Sequence, residues 1–243
     1  ICSDKTGTLT ENQMTVQEVF AGGELFEVTG TGYTPSGQFV RQGVAVDTSM
    51  FPALTECLKA GLLCNDSMLS EKEGRWTIQG DPTEGSLLVS AAKAGLNTAD
   101  MNRTFPRIDV IPFESQHQYM VTLHSGGEER TAALYVKGSV ETVLKMCVRS
   151  FDNMGRPALL DANAIENAAG DMAARGIRVL AFASGEWTKK EPVLDHSDMD
   201  SGLTFLGLQC MIDPPRQEAV LAVENCHTAG IHVKMITGDH ALT

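Results

Sequence analysis

Two aspartate-centred loops bracket this chain, ICSDKTGTLT at residues 1–10 and MITGDH at 235–240. Each follows a short run that reads as the end of a strand, Ile1–Ser3 in one case and the residues from 231 onward in the other. Ligands of open α/β sheets gather beyond the carboxyl ends of parallel strands. Neighbouring parallel strands would therefore carry Asp4 and Asp239 to one site. The residues between them must then form a second body, inserted into the first.

The intervening pattern supports that division. Residues 14–28 read as a hairpin around Gly22-Gly23, and 52–66 carry helical apolar spacing. Residues 75–80 read as a strand, and 82–96 as a helix started by Asp81-Pro82. RIDVIPFES, QYMVTLHS and AALYVKG read as strands, SVETVLKMC and 162–176 as helices, and 177–187 and 203–212 as strands. A helix over 215–230 stops at Gly230, and 188–202 is the longest internal loop. The expected fold is an α+β domain, an antiparallel sheet flanked by helices, set between two segments of an incomplete Rossmann-like α/β domain. The expected boundaries are 1–13, 14–212 and 213–243, with crossings near Asn12–Thr15 and Asp213–Arg216.

The chain carries 31 acidic and 19 basic residues, a net charge of −12. That argues against nonspecific nucleic-acid or anionic-membrane binding, so no nucleic-acid partner is expected. Any cations that meet an anionic ligand must be placed locally. The cysteines at 2, 57, 64, 147, 210 and 226 form no C-x-x-C pair and no zinc spacing, and read as reduced, mostly buried residues. No run approaches the ~18 apolar residues of a membrane span. A chain that opens on Ile1 without a methionine reads as a piece of a longer protein.

The stretch DKTGTLT carries the chemistry. Asp4 at a strand end is rigidly held, and Gly7 allows a tight turn. Thr6, Thr8 and Thr10 offer hydroxyls to phosphate oxygens, and Lys5 adds a point charge. A carboxylate beside such groups suits an aspartyl phosphate. A lone D-x-T would read as a local Asp/Thr turn; this seven-residue run points to chemistry.

DKTGTLT is followed, in order, by GDPTEGSL (80–87), PFES (112–115), KGSVE (137–141), GIRVLA (176–181), DPPR (213–216) and MITGDH (235–240). This series resembles the P-type ATPases, ion pumps of the haloacid dehalogenase superfamily, and within them the type II cation pumps. The resemblance implies a nucleotide-binding domain inserted into parts of the phosphorylation domain, on the cytoplasmic side of an integral membrane protein. It implies ATP and Mg²⁺ as ligands. The actuator and transmembrane domains of the same pump would be partners, and the transported cation would not touch these residues.

Residue by residue, the resemblance makes Asp4 the phosphorylated nucleophile, with Mg²⁺ on its carboxylate and on the Thr6 carbonyl. Lys5 belongs to the same loop. Thr8, Thr237 and Gly238 would contact the phosphoryl group, and Asp239 the nucleotide end or the Mg²⁺ shell. Phe113 would stack on adenine, Glu84 accept from its amino group, and Lys137, before Gly138, line the adenine pocket. Ser115 and Met120 fit the pocket wall, and Arg178 and Arg216 would reach the triphosphate. Gln118 stands where many type II pumps carry a lysine, so it offers a hydrogen bond without a charge.

Many phosphatases of the superfamily place a second aspartate two residues after the nucleophile, as general acid and base. Thr6 cannot play that part, so a phosphorylated Asp4 should persist, as a pump requires. The later G-D-G-x-N-D loop of the family does not occur in these residues, so the isolated chain is expected to bind ATP without turning it over. The alternatives are a phosphatase of the same superfamily and a nucleotide-binding module only.

Overall fold

The computed structural model describes residues 1–126, 131–189, 191–199 and 202–236. In chain order the strands and helices are β1 (Cys2–Asp4), β2 (Thr15–Ala21), β3 (Glu24–Val28), β4 (Phe39–Arg41), β5 (Val44–Val46), α1 (Pro52–Leu63), β6 (Met68–Lys72), β7 (Arg75–Gln79), α2 (Pro82–Lys93), α3 (Thr98–Thr104), β8 (Arg107–Glu114), β9 (Tyr119–His124), β10 (Ala132–Gly138), α4 (Val140–Met146), β11 (Cys147–Phe151), β12 (Pro157–Leu159), α5 (Ala162–Ala174), β13 (Arg178–Trp187), β14 (Leu203–Ile212), α6 (Gln217–Thr228) and β15 (Lys234–Ile236).

One large sheet dominates, in the order β5-β4-β3-β2-β14-β13-β10-β9-β8, each pair antiparallel. β14 is its centre. Residues 207–212 pair with β2, while 203–205 pair in parallel with β11, which carries β12 at its far edge. Nine of the ten residues of β14 are buried, which is why it reads as a continuous apolar run.

The two-residue period of the strands sorts side chains to two faces. On β10 and β13, Tyr135 and Phe182 join Leu54, Leu58, Leu87 and Leu88 of α1 and α2 on one face. Leu134, Val136, Ala181 and Ala183 face Val143, Leu144, Ile165 and Met172 of α4 and α5 on the other. The fold is a helix–sheet–helix sandwich, the antiparallel sheet flanked by helices that the pattern predicts. Cys57, Cys64, Cys147 and Cys210 are buried free thiols, and burial pushes Cys147 and Cys210 up to about 12, so they stay protonated.

The two outermost described strands are parallel neighbours, as the opening pattern requires of them. β1 pairs in parallel with β15, Cys2 opposite Lys234 and Asp4 opposite Ile236. The two passages that lead to and from the sheet run side by side. Thr10 bridges Pro215, Glu11 N donates to Pro214 O at 3.0 Å, and Arg216 N donates to Leu9 O at 2.8 Å. Asp213 ties both together, its Oδ2 accepting from the Thr10 hydroxyl at 2.6 Å and its Oδ1 from Gln13 N at 3.1 Å.

Candidate functional site

Four elements converge on one cavity of about 470 Å³: the N-terminus of α2, the β8–β9 turn, the end of β10 and the start of β13. Its lining includes Asp81, Glu84, Phe113, Gln118, Lys137, Gly138 and Arg178. Six of the nine residues expected to meet a nucleotide are therefore together. The volume is in the ordinary range for small-molecule pockets.

Phe113, near the end of β8, is 57% exposed. An aromatic ring left in solvent at the mouth of a cavity is not a core residue; its face is open for stacking. Glu84 and Lys137 form the polar floor. Lys137 Nζ lies 2.5 Å from Glu84 Oε1 and 2.7 Å from Cys64 O. Glu84 Oε2 accepts from Asp66 N at 2.9 Å and from Ser67 Oγ at 3.3 Å. The two side chains are only 7% and 16% exposed. So buried a pair persists only when it is closely hydrogen-bonded, as here.

Asp81 caps α2, its Oδ1 accepting from Thr83 N at 2.7 Å and Glu84 N at 3.2 Å, with Pro82 in the first turn. That cap fixes where Glu84 stands. Arg178 opens β13 at the rim, exposed, with Nη1 donating to Thr83 Oγ1 at 2.9 Å. Gln118 takes a left-handed conformation, φ 60°, to close the β8–β9 turn, and its Oε1 lies 3.4 Å from Ser139 Oγ.

Gly138 has a requirement the sequence did not indicate. A Cβ there would meet Gln118 O at 2.5 Å and Tyr119 Cβ at 2.9 Å, so the neighbouring strand demands the glycine before any ligand does. Gly138→Ala is expected to cost about 1–3 kcal/mol of stability through overpacking. Urea unfolding of the variant checks it; an unchanged midpoint would show that β9 yields without strain.

Three expected residues stand elsewhere. Met120 lies across from Lys137 in the β9–β10 register and is 1% exposed, packed into the core beneath the cavity rather than on its wall. Ser115 sits exposed in the β8–β9 turn, outside the cavity lining. Arg216 turns to the crossing, where Nε donates to Thr10 O at 2.9 Å and Nη2 to Gly7 O at 3.1 Å. Thr83, Ser139, Val179 and Leu180 also line the cavity. Thr83 and Ser139 were legible only as helix-start residues, and Val179 and Leu180 as strand residues.

The Asp4 loop is open. Asp4, Thr6, Gly7 and Thr8 are exposed, Asp4 Oδ1 accepts from Lys5 N at 2.9 Å, and Gly7 turns the chain at φ 74°. Thr10 differs from its expectation. It is buried, and its hydroxyl is held by Asp213, so it staples the crossing instead of facing a phosphate. Thr237, Gly238 and Asp239 lie outside the described residues. A second cleft, of about 350 Å³, is lined in part by Lys5, Thr6 and Asn12 and shares Asp81, Thr83 and Arg178 with the first. A groove thus runs from Phe113 past Arg178 to the loop beside Asp4. A carboxylate and a backbone carbonyl on that loop are hard oxygen donors, few in number, which fits Mg²⁺ with most of its water shell retained.

A family model described as "P-type ATPase, cytoplasmic domain N" matches residues 53–218. The chain is 54% identical over 248 residues to the "Cation-transporting ATPase pma1" of Synechocystis sp., covering 100% of this chain and 27% of that protein. It is 44% identical over 244 residues to the "Probable cation-transporting ATPase F" of Mycobacterium tuberculosis, with 100% and 27% covered. It is 36% identical over 245 residues to the human "Calcium-transporting ATPase type 2C member 1", with 98% and 25% covered. The chain spans about a quarter of the length of the curated relatives it matches. No described helix is long and apolar enough to cross a membrane.

Proposed function

The chain belongs to the P-type ATPases, matching their cytoplasmic N domain, and from that premise we propose that it is the ATP-binding part of a cation-transporting pump whose phosphorylated residue is Asp4. The observation that carries this reading is the groove whose two clefts share Asp81, Thr83 and Arg178, with Phe113 at one end and Lys5 and Thr6 at the other. In it, adenine stacks on Phe113 and its amino group donates to Glu84, which has lone pairs to spare. The triphosphate passes Arg178, one of the few cations this acidic chain places there. Residues 14–212 form the nucleotide-binding domain, and 1–13 and 213–243 belong to the phosphorylation domain.

A carboxylate oxygen of Asp4 attacks the γ-phosphorus in line. The Asp4 O–P bond forms as the bond to the β-phosphate oxygen breaks, and ADP leaves with that electron pair. The Asp4 carboxylate and the Thr6 carbonyl would hold Mg²⁺, which when bound would supply positive charge to offset the phosphate oxygens. Thr6 has no acid–base function near neutral pH, which speaks against the phosphatase alternative.

The test is a titration of the chain with ATP and GTP, with and without Mg²⁺, followed by backbone NMR. Expected is binding in the sub-millimolar to millimolar range, about −4 to −6 kcal/mol, with shifts at Glu84, Phe113, Lys137 and Arg178 and a preference for ATP. No saturable shift would overturn the assignment of this cavity. Phe113→Ala is expected to weaken ATP by about 1–3 kcal/mol through lost stacking. Unchanged affinity would remove the ring from the binding site.

A further inference from the structure

We propose that Glu114, His117 and His196 form a binding site for a divalent transition-metal ion of the zinc class at the lip of the Phe113 cavity. Glu114 ends β8, His117 lies in the turn to β9, and His196 opens the short 3₁₀ turn His196–Met199 of the segment that precedes β14. One ligand atom from each lies within 4.8 Å of the others. Tetrahedral zinc, with bonds of about 2.0–2.2 Å, needs ligand atoms about 3.3–3.6 Å apart. His117 Nε2 and Glu114 Oε2 are already 3.6 Å apart. The remaining closure is within reach of side chains that are exposed or half-buried.

The surroundings support a cation there. The Gln116 amide nitrogen donates to Glu114 Oε2 at 2.8 Å and lies 3.2 Å from His117 Nε2. Facing a carboxylate, that nitrogen is the donor, so His117 Nε2 presents its lone pair to the same point. Two acceptors thus converge on one donor, and an ion would replace it. The imidazoles of His117 and His196 are stacked, centroids 4.1 Å apart. The Tyr119 hydroxyl lies 2.6 Å from His196 Nδ1 and holds that ring; in the tautomer whose Nδ1–H donates to the hydroxyl oxygen, Nε2 carries the lone pair that an ion would take. A hydrogen-bonded outer partner of this kind orients metal-binding histidines. Two imidazoles and one carboxylate favour zinc and its neighbours over Mg²⁺ or Ca²⁺, which take oxygen ligands. Three protein ligands leave a position for water.

The site ties two distant parts of the chain together at the cavity mouth. Phe113 directly precedes Glu114, and Gln118 directly follows His117. An ion would hold the β8–β9 turn against the 191–199 segment and so stiffen the lip on which both cavity residues stand.

Binding of the ion requires no nucleotide, so the chain is titrated with Zn²⁺ alone by calorimetry. One equivalent is expected at micromolar affinity. His117→Ala and His196→Ala should each weaken it at least ten-fold, while Cys2→Ser and His227→Ala should leave it unchanged. Imidazole nitrogen spectra should show His117 and His196 moving, and His232 still. Absent binding, undiminished affinity in both histidine variants, or ring signals that stay in place would each overturn the proposal. All three side chains are at the surface, so a loss of fold does not confound the variants; circular dichroism confirms it.

Discussion

In the full-length protein, Asp4→Asn is expected to reduce the acid-stable phosphoenzyme formed from ATP to below detection. The substitution keeps shape. Asn retains an oxygen to accept from Lys5 N, as Asp4 Oδ1 does at 2.9 Å, and Gly7 still turns the loop. What it removes is the nucleophile, since an amide oxygen forms no stable ester with phosphorus. It also removes one negative charge from beside the phosphates. ATP affinity should therefore be no weaker than in the parent, and at low ionic strength should be stronger. That pairing separates lost chemistry from lost fold, because a misfolded variant would lose both. Acid-quenched labelling with γ-labelled ATP, read beside equilibrium binding on the same preparation, is the measurement. Label that persists on the variant would move the nucleophile elsewhere.

Much of this was legible because the informative residues obey local rules. Asp81-Pro82 announces a helix start, and Gly22-Gly23 a hairpin, and both form. The long strands and helices carry an apolar period that survives in the structure. The elements left unread lack one. α3 buries no residue and is marked only by its Asn97 cap, and β6, which pairs with the predicted strand β7 in a hairpin away from the main sheet, is short and mostly polar. β4, β5 and β12 are three residues each, too short for a period to show. Within the site, sequence order reveals that a motif is present but not where each side chain points. Met120 shares a sheet face with Lys137 but packs into the core beneath the cavity, and Arg216 is drawn to the Thr10 and Gly7 carbonyls. The Glu114–His117–His196 cluster joins segments far apart in sequence, so spacing could not disclose it.

Lys137→Met is expected to cost about 3 kcal/mol of folding stability, an effect far above that of a surface lysine. Lys137 and Glu84 are both largely out of water, and their contact is 2.5 Å. Removing one partner of such a pair leaves the other as a buried, uncompensated charge, at about 3–5 kcal/mol. The lower end applies because Glu84 keeps the Asp66 amide and the Ser67 hydroxyl as donors, although the Cys64 carbonyl also loses its ammonium. Glu84→Gln alone should be destabilising too, since the lysine then has no carboxylate. The double variant should recover a large part of the loss, because it contains no unpaired charge, and urea denaturation of the full cycle measures the coupling. ATP affinity of the double variant then decides what the pair is for. If Glu84 accepts from the adenine amino group and Lys137 borders the ring, a refolded cavity without them should bind ATP at least ten-fold more weakly. Wild-type affinity in the recovered double variant would make the pair a support for the α2 N-terminus, and leave recognition to Phe113 and Arg178.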